Sequence, residues 1–438
     1  MELDLNQKED YKETELGLLP KDWEVVRLGE VAKISSGGSA PQGEEYFKEG
    51  KYPFIRVQHI DNEDYAVKKY DFITEKAVSD YKLKLYSKGT IVFPKSGASV
   101  YLEKRAMLPV DAYIVSHLCA VHSKKDDVLQ NFLFYVLASK KLAKEKASGY
   151  PTLNLSEVKM VKIPLPPLSE QKKIAYVLSS VQEAKEKTED VIKATKELKK
   201  SMMKYLFTYG PVSLEEAEKV PLKETEIGLI PEEWKVVRLG DIANFKNGIN
   251  FSANQKGNRG ILTIDVLNMY GEGIYVNLNN LYRVNKKIDE NYLLREDDIL
   301  FVRSSLKREG VGWSSLFKPT NEPVTFCGFI IRARLKVENV FPEYLTNYLR
   351  TKIARNNLIA SSGKVAITNI NQGMLGKIIV PCSPLQTQKK IASILLAIDR
   401  KIEAEENKKK ALEDLFKSLL YNLMTAKIRV NNLEKILD

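Results

Sequence analysis

Two stretches of the chain place apolar side chains at alternating three- and four-residue intervals over an unusual length. From Ile174 the stripe runs through Val177, Val181, Ala184, Thr188, Val191, Thr195, Leu198, Met202 and Tyr205, with no Gly or Pro between Ser169 and Phe207. Such spacing is the heptad seam of a coiled coil. A shift of 217 residues gives a second frame: Ile391, Ile394, Ile398, Lys401, Glu405, Lys408, Leu412, Leu415, Leu419 and Asn422. It is apolar near both ends and charged in the middle, where Ile402 is an alternative seam residue. The 39 residues from Ser169 to Phe207 would span about 58 Å as a helix, well beyond a typical globular helix. The pattern therefore predicts two long helices that pair with each other.

Ahead of each long helix the periodicity is mixed. Runs such as GTIVF and FIIRARL read as strands, whereas LQNFLFYVLASKKLAKE and PEYLTNYLRTKIARNN read as helices. Each mixed section ends in a short proline-bounded strand, KIPLPPL or KIIVPCSPL, in which proline limits strand pairing and stiffens the exit. The expectation is a mixed α and β globule before each helix.

The two halves are copies. ETELGLLPKDWEVVRLGEVAKISSG, from Glu13 to Gly37, matches ETEIGLIPEEWKVVRLGDIANFKNG, from Glu224 to Gly248, at fourteen of twenty-five positions. PLSEQKKIAYVLSS from Pro167 matches PLQTQKKIASILLA from Pro384 at eight of fourteen. Between entrance and exit the likeness fades, so the frame repeats while the contents differ. The expected organisation is a globule over 1–166, a helix over 167–207, a linker over 208–220, a second globule over 221–381, a second helix over 382–425 and a tail over 426–438. Parallel helices would require the 16 residues from Thr208 to Lys223 to stretch about 55 Å with no slack; antiparallel helices need no such reach. The expected fold class is thus α+β: two mixed α/β globules separated by two long antiparallel coiled-coil helices, an internal repeat with an approximate two-fold axis.

Composition adds less. A chain of 438 residues with 44% hydrophobic and 29% charged side chains has material for two cores. A net charge of +11 makes a polyanionic partner plausible without requiring one. Cys119, Cys327 and Cys382 are too scattered for a disulfide framework or a thiolate zinc site. The opening MELDLNQKEDYKE is polar and no apolar run approaches membrane-spanning length, which points to the cytoplasm and away from a membrane. Catalytic motifs fail on inspection: there is no HExxH, GxxxxGK[ST] or GxSxG, and in HLCAVH a strand would turn His122 away from His117 and Cys119.

The paired entrances at Leu16 to Gly29 and Ile227 to Gly240, the PPLSEQKKIA and SPLQTQKKIA exits and the duplicated long helices resemble the specificity subunit of type I restriction-modification systems. The resemblance covers nearly the whole chain. It implies that each globule is a target recognition domain and each long helix a spacer. It further implies that the chain reads a bipartite site in double-stranded DNA and performs no chemistry itself. The partners it implies are two methyltransferase subunits and, through them, two restriction subunits. S-adenosylmethionine, ATP and Mg would then sit on those partners, with no cofactor on this chain. Two rival readings are a self-contained nuclease or methyltransferase and a coiled-coil adaptor without a nucleic-acid role.

Polar loops broken by glycine and aromatic residues are the candidates for base and phosphate contacts. In the first half these are Ser96, Ser99, Tyr101, Lys104 and Arg105, with Tyr150 and Asn154. In the second half Arg303, Ser304, Ser305, Lys307 and Arg308 hold the comparable place after a strand, with Lys364, Thr368 and Asn369. Each is either a DNA contact or a solvated loop residue. Trp23 and Trp234 are expected in the core, since a residue shared by both halves cannot explain different specificities. Gln171 and Gln388, at the starts of the long helices, fit either a capping or hydrogen-bonding role or a methyltransferase contact.

Overall fold

The computed structural model describes residues 10–61, 65–143, 151–305, 310–360 and 368–430. It divides into two compact units, one of Met1–Lys187 with Lys408–Asp438 and one of Thr188–Asn407. The long helices run Leu168–Tyr209 and Leu385–Met424, so each unit holds one part of both.

In the first unit the repeated entrance forms a hairpin, Tyr11–Thr14 with Gly17–Pro20, and then the strand Glu24–Arg27. That strand pairs antiparallel with Lys162–Leu165, where Pro164 lies opposite Val25. The ribbon has only two strands, so proline's missing N–H interrupts no inner ladder. The main sheet orders Ala32–Ser36, Leu118–Ser123, Ile91–Pro94 and Ala106–Met107. A second sheet orders Asp71–Ile73, Tyr52–Ile55, Ala112–Ile114 and Leu85–Tyr86.

The run IVFP is buried throughout because successive strand side chains point to opposite faces and both faces are covered. Ile91 and Phe93 enter a core with Phe132, Leu133 and Val136 of the helix Gln130–Ala138. Val92 enters a second core with Phe54, Ile55 and Ile114.

The second unit repeats this plan. Its main sheet orders Ala243–Asn247, Ile330–Leu335, Ile299–Val302 and Ser314–Leu316. Ile299 and Phe301 share one core with Ile331, and Leu300 and Val302 share another with Phe326. The stretch expected as one helix from Pro342 is two, Pro342–Leu349 and Lys352–Ala360. Thr351 Oγ1 accepts the Ala354 N–H at 3.3 Å, starting a new helix. Arg350 leaves the turn to donate to the Ser314 and Gly273 carbonyls at 2.7 and 2.6 Å.

Inside each unit the long helices are antiparallel. In the first, Ile174 and Leu178 near the start of one helix share a core with Leu423 and Met424 at the end of the other. In the second, Leu206 and Phe207 share a core with Ile391, Ala392 and Leu395.

The seam, however, lies one residue away from the sequence stripe through much of its length. Val191, Leu198 and Leu415 are 40%, 51% and 46% exposed, whereas Gln182, Lys185, Lys199 and Asp399, each one position after a stripe residue, are buried. Ile402 rather than Lys401 faces inward. Apolar spacing misplaced the stripe because the inward face carries polar side chains. Lys199 meets this by pairing with Asp399 at 2.5 Å.

Gln171 and Gln388 are buried and bonded to backbone of their own units. Gln388 Oε1 accepts the Phe341 N–H at 2.7 Å, and its Nε2 donates to the Ser383 and Asn339 carbonyls at 2.8 and 3.0 Å. Gln171 does the same for Leu129, Pro166 and Asp127, each at 2.9 Å. Burial leaves neither side chain available to another subunit; each ties its long helix to the start of a globule helix. Gln388→Leu strands a buried amide and two carbonyls and is expected to cost about 2 kcal/mol, read as a fall in the urea midpoint.

Trp23 and Trp234 are each 1% exposed. Trp23 Nε1 donates to Glu170 at 2.9 Å, and Arg429, beyond the second long helix, donates to the same carboxylate at 2.8 Å. Tyr11 Oη closes this end of the first unit with a 3.0 Å bond to the Ala426 carbonyl.

Candidate nucleic-acid interface

In each unit three short segments, far apart in sequence, meet at the end of the main sheet. The first continues from the core strand. In the first unit the Lys95 N–H donates to the His117 carbonyl at 2.9 Å and its carbonyl accepts from Leu153 N–H at 2.7 Å. In the second, Arg303 N–H donates to the Phe329 carbonyl at 2.8 Å and its carbonyl accepts from Ile370 N–H at 3.0 Å. One residue further along, Ser96 bridges Thr152, while Ser304 and Ser305 pair with Asn369 and Thr368. Lys95 therefore corresponds to Arg303, Ser96 to Ser304, His117 to Phe329 and Thr152 to Asn369.

A tight turn supplies the middle segment. Leu118 N–H closes it on the Val115 carbonyl, and Ile330 N–H on the Cys327 carbonyl, both at 3.0 Å. The glycines that end the repeated entrances hold these turns: Gly37 N–H donates to the Leu118 carbonyl at 3.3 Å, and Gly248 N–H to the Ile330 carbonyl at 3.0 Å. The repeated frame thus presents the turn, and the residue at its tip differs between copies.

Several candidate residues fall within this arrangement. Ser96 is half-buried, with Oγ 2.6 Å from His117 Nδ1. Ser99 and Tyr101 sit on the short helix Ala98–Leu102 that follows Gly97, and Tyr101 is exposed. Lys104 is half-buried. In the second unit the Ser304 hydroxyl donates to the Asn369 carboxamide oxygen, Ser305 Oγ lies 3.5 Å from Tyr270 Oη, and Arg303 Nη1 reaches the Gly328 carbonyl at 3.4 Å. Thr368 enters through its backbone pairing. Tyr150, Lys307, Arg308 and Lys364 lie outside the described residues.

Arg105 takes a structural role, and Asn154 stands at a helix start. Arg105 is 6% exposed, paired with Glu103 and stacked 4.7 Å from the Phe93 ring. It is walled in beneath the loop, and a guanidinium committed to an internal carboxylate has no reach to a phosphate. Asn154 is the N-cap of the helix Leu155–Lys159, its N–H donating to Glu157 at 2.9 Å. Its counterpart is Asn371, whose Oδ1 accepts from Met374 N–H at 2.9 Å at the start of Gln372–Gly376. The two copies share the N-cap position, while the Asn154 side chain itself is exposed.

The electrostatics suit recognition rather than reaction. Lys95 and Arg303 put a basic residue at the corresponding backbone position of both units. Burial pushes the Cys119 and Cys327 thiols up to about 12, far from a nucleophile's range. His117 pairs with Ser96, and His122 Nδ1 with Thr90 Oγ1 at 3.2 Å, so the two histidines do not converge. Among the described residues no cluster of His, Cys, Asp and Glu could hold a metal ion, and no helix is long and apolar enough to cross a membrane.

The same clusters contain Lys95, His117, Thr152 and Phe329, which the sequence did not single out as candidates for contact with DNA. The signal that carries them is a shared position with a different residue, and it becomes visible only when backbone pairing aligns middle sections whose sequences have drifted apart.

Comparison with known proteins places this geometry. The model of the type I restriction modification DNA specificity domain matches residues 20–195 and 231–414. The specificity subunit of the type I restriction enzyme MjaVIII of Methanocaldococcus jannaschii is 27% identical, over 98% of each chain. The putative MjaX specificity subunit of the same organism is 29% identical, over 98% of this chain and 99% of that one. The crystal structure of a type I restriction-modification S subunit from M. genitalium shares the fold with a TM-score of 0.56 at 18% identity, covering 92% of this chain and 96% of that one. The chain therefore belongs to the type I restriction-modification DNA specificity family, as a non-catalytic specificity subunit with two specificity domains.

Proposed function

We propose that each unit reads one half of a split DNA site, that the long helices set the unspecified gap between the halves, and that the two halves differ in sequence. The observation that carries this reading is the pair of loop clusters with matching backbone hydrogen bonds, which share a frame and a basic residue but differ at His117 against Phe329 and Thr152 against Asn369. Shared positions supply phosphate affinity and differing positions supply base discrimination.

The same reading assigns the chain two methyltransferase subunits as partners and, through them, two restriction subunits. S-adenosylmethionine, ATP and Mg belong to those partners, and the assembly works in the cytoplasm. The test is to map methylated adenines in cells carrying the chain and its methyltransferase. Two unlike half-sites with a fixed gap are expected. Inserting seven residues, two helical turns, into both long helices should lengthen the gap and leave both halves as they were. Altered half-sites at an unchanged gap would defeat the reading.

A further inference from the structure

We infer that the turn-tip residue, Phe329 in the second unit and His117 in the first, makes a base contact that distinguishes the two half-sites; this rests on the reading that each unit recognises DNA. Phe329 is 60% exposed. An aromatic ring this exposed forgoes the burial energy that its neighbours in the sheet obtain, yet its backbone is held by hydrogen bonds on both sides of the turn. Its carbonyl accepts from Arg303, the turn closes from Ile330 to Cys327, and Gly248 binds the next carbonyl along. A rigid stem that displays an apolar ring beside a cation is a pre-ordered contact, which loses little freedom on binding.

The first unit builds the same stem and puts a different chemistry on it. His117 is exposed, and its Nδ1 is engaged by Ser96 Oγ at 2.6 Å. That bond orients the ring and leaves Nε2 to donate or accept a hydrogen bond at a base edge. Phe329 can do neither. The apolar feature that the major groove offers is the thymine methyl group, whereas purine N7 and O6 and the exocyclic amines suit an imidazole. The two units therefore read opposite kinds of base-edge chemistry from one position, with Lys95 and Arg303 holding the backbone alongside.

The test uses the full chain with its methyltransferase partner, mapping methylated adenines for Phe329→Ala and Phe329→His. In both variants discrimination at a T·A pair of the second half-site should fall about tenfold, the scale of one mismatched contact, with the first half-site unchanged. His117→Phe should alter one position of the first half-site alone. The untouched half reports in the same molecules that the variant folds and assembles. If the wild-type chain gives a split site and both Phe329 variants leave the second half-site as it was, the inference falls while the reading of two half-sites stands. Loss of all methylation in both Phe329 variants would assign the ring a structural role and overturn the inference too. If the wild type itself gives no split site, the underlying reading fails first.

Discussion

Lys199→Met is expected to destabilise the chain by about 3–5 kcal/mol, the cost of leaving one member of a buried ion pair alone. The ammonium and its partner Asp399 have side chains only 10% and 9% exposed, 2.5 Å apart. Lys199 also donates to the Glu272 carbonyl at 2.8 Å, and Arg350 donates to the Gly273 carbonyl beside it. Removing Lys199 leaves the Asp399 carboxyl without that partner in a place where burial already holds it above the usual range. The double variant with Asp399→Asn should recover part of the loss, because it removes the unpaired buried charge at unchanged side-chain size. Urea midpoints of the two variants measure this. A single variant that costs less than about 1 kcal/mol would mean that the pair behaves as a surface contact.

The second large effect is expected at the glycines that end the repeated entrances. A Cβ on Gly37 would stand 2.0 Å from the Ile114 carbonyl oxygen, and one on Gly248 would stand 2.1 Å from that of Cys327. These are backbone atoms that cannot rotate away. Gly248→Ala should therefore push the turn carrying Phe329 off the sheet and cost about 3 kcal/mol. Its half-site should blur while the other remains sharp; Gly37→Ala should do the converse through His117. Calorimetry on each variant, beside its methylation map, checks both parts. A glycine variant with wild-type stability would mean that the entrance and the turn are not in firm contact.

The ion pair and the glycines also show where the sequence was readable. Repetition announced two units, because a frame that must fold twice keeps its hairpin, Trp and exit proline at fixed spacing. The long helices were legible from the absence of breakers over Leu168–Tyr209 and Leu385–Met424. Chain connectivity gave their antiparallel sense, since a short linker allows no other return. The buried places of Trp23 and Trp234 followed from their presence in both copies.

Tertiary structure decided the rest, because each remaining feature depends on what stands opposite. The helix seam shifted by a residue once buried Lys199 met Asp399, a pairing that apolar periodicity does not register. Arg105 turned inward to Glu103 and Phe93, although its sequence neighbours are loop residues. Asn154 became a cap only when the five residues after it formed a helix. The loop cluster proposed to read DNA, Lys95, Ser96, His117 and Thr152 with their counterparts Arg303, Ser304, Phe329 and Asn369, is assembled by hydrogen bonds between segments up to 67 positions apart. Local patterns carry helices and strands through contacts a few residues away, whereas a recognition surface is made of long-range pairings that exist only after the sheets have closed.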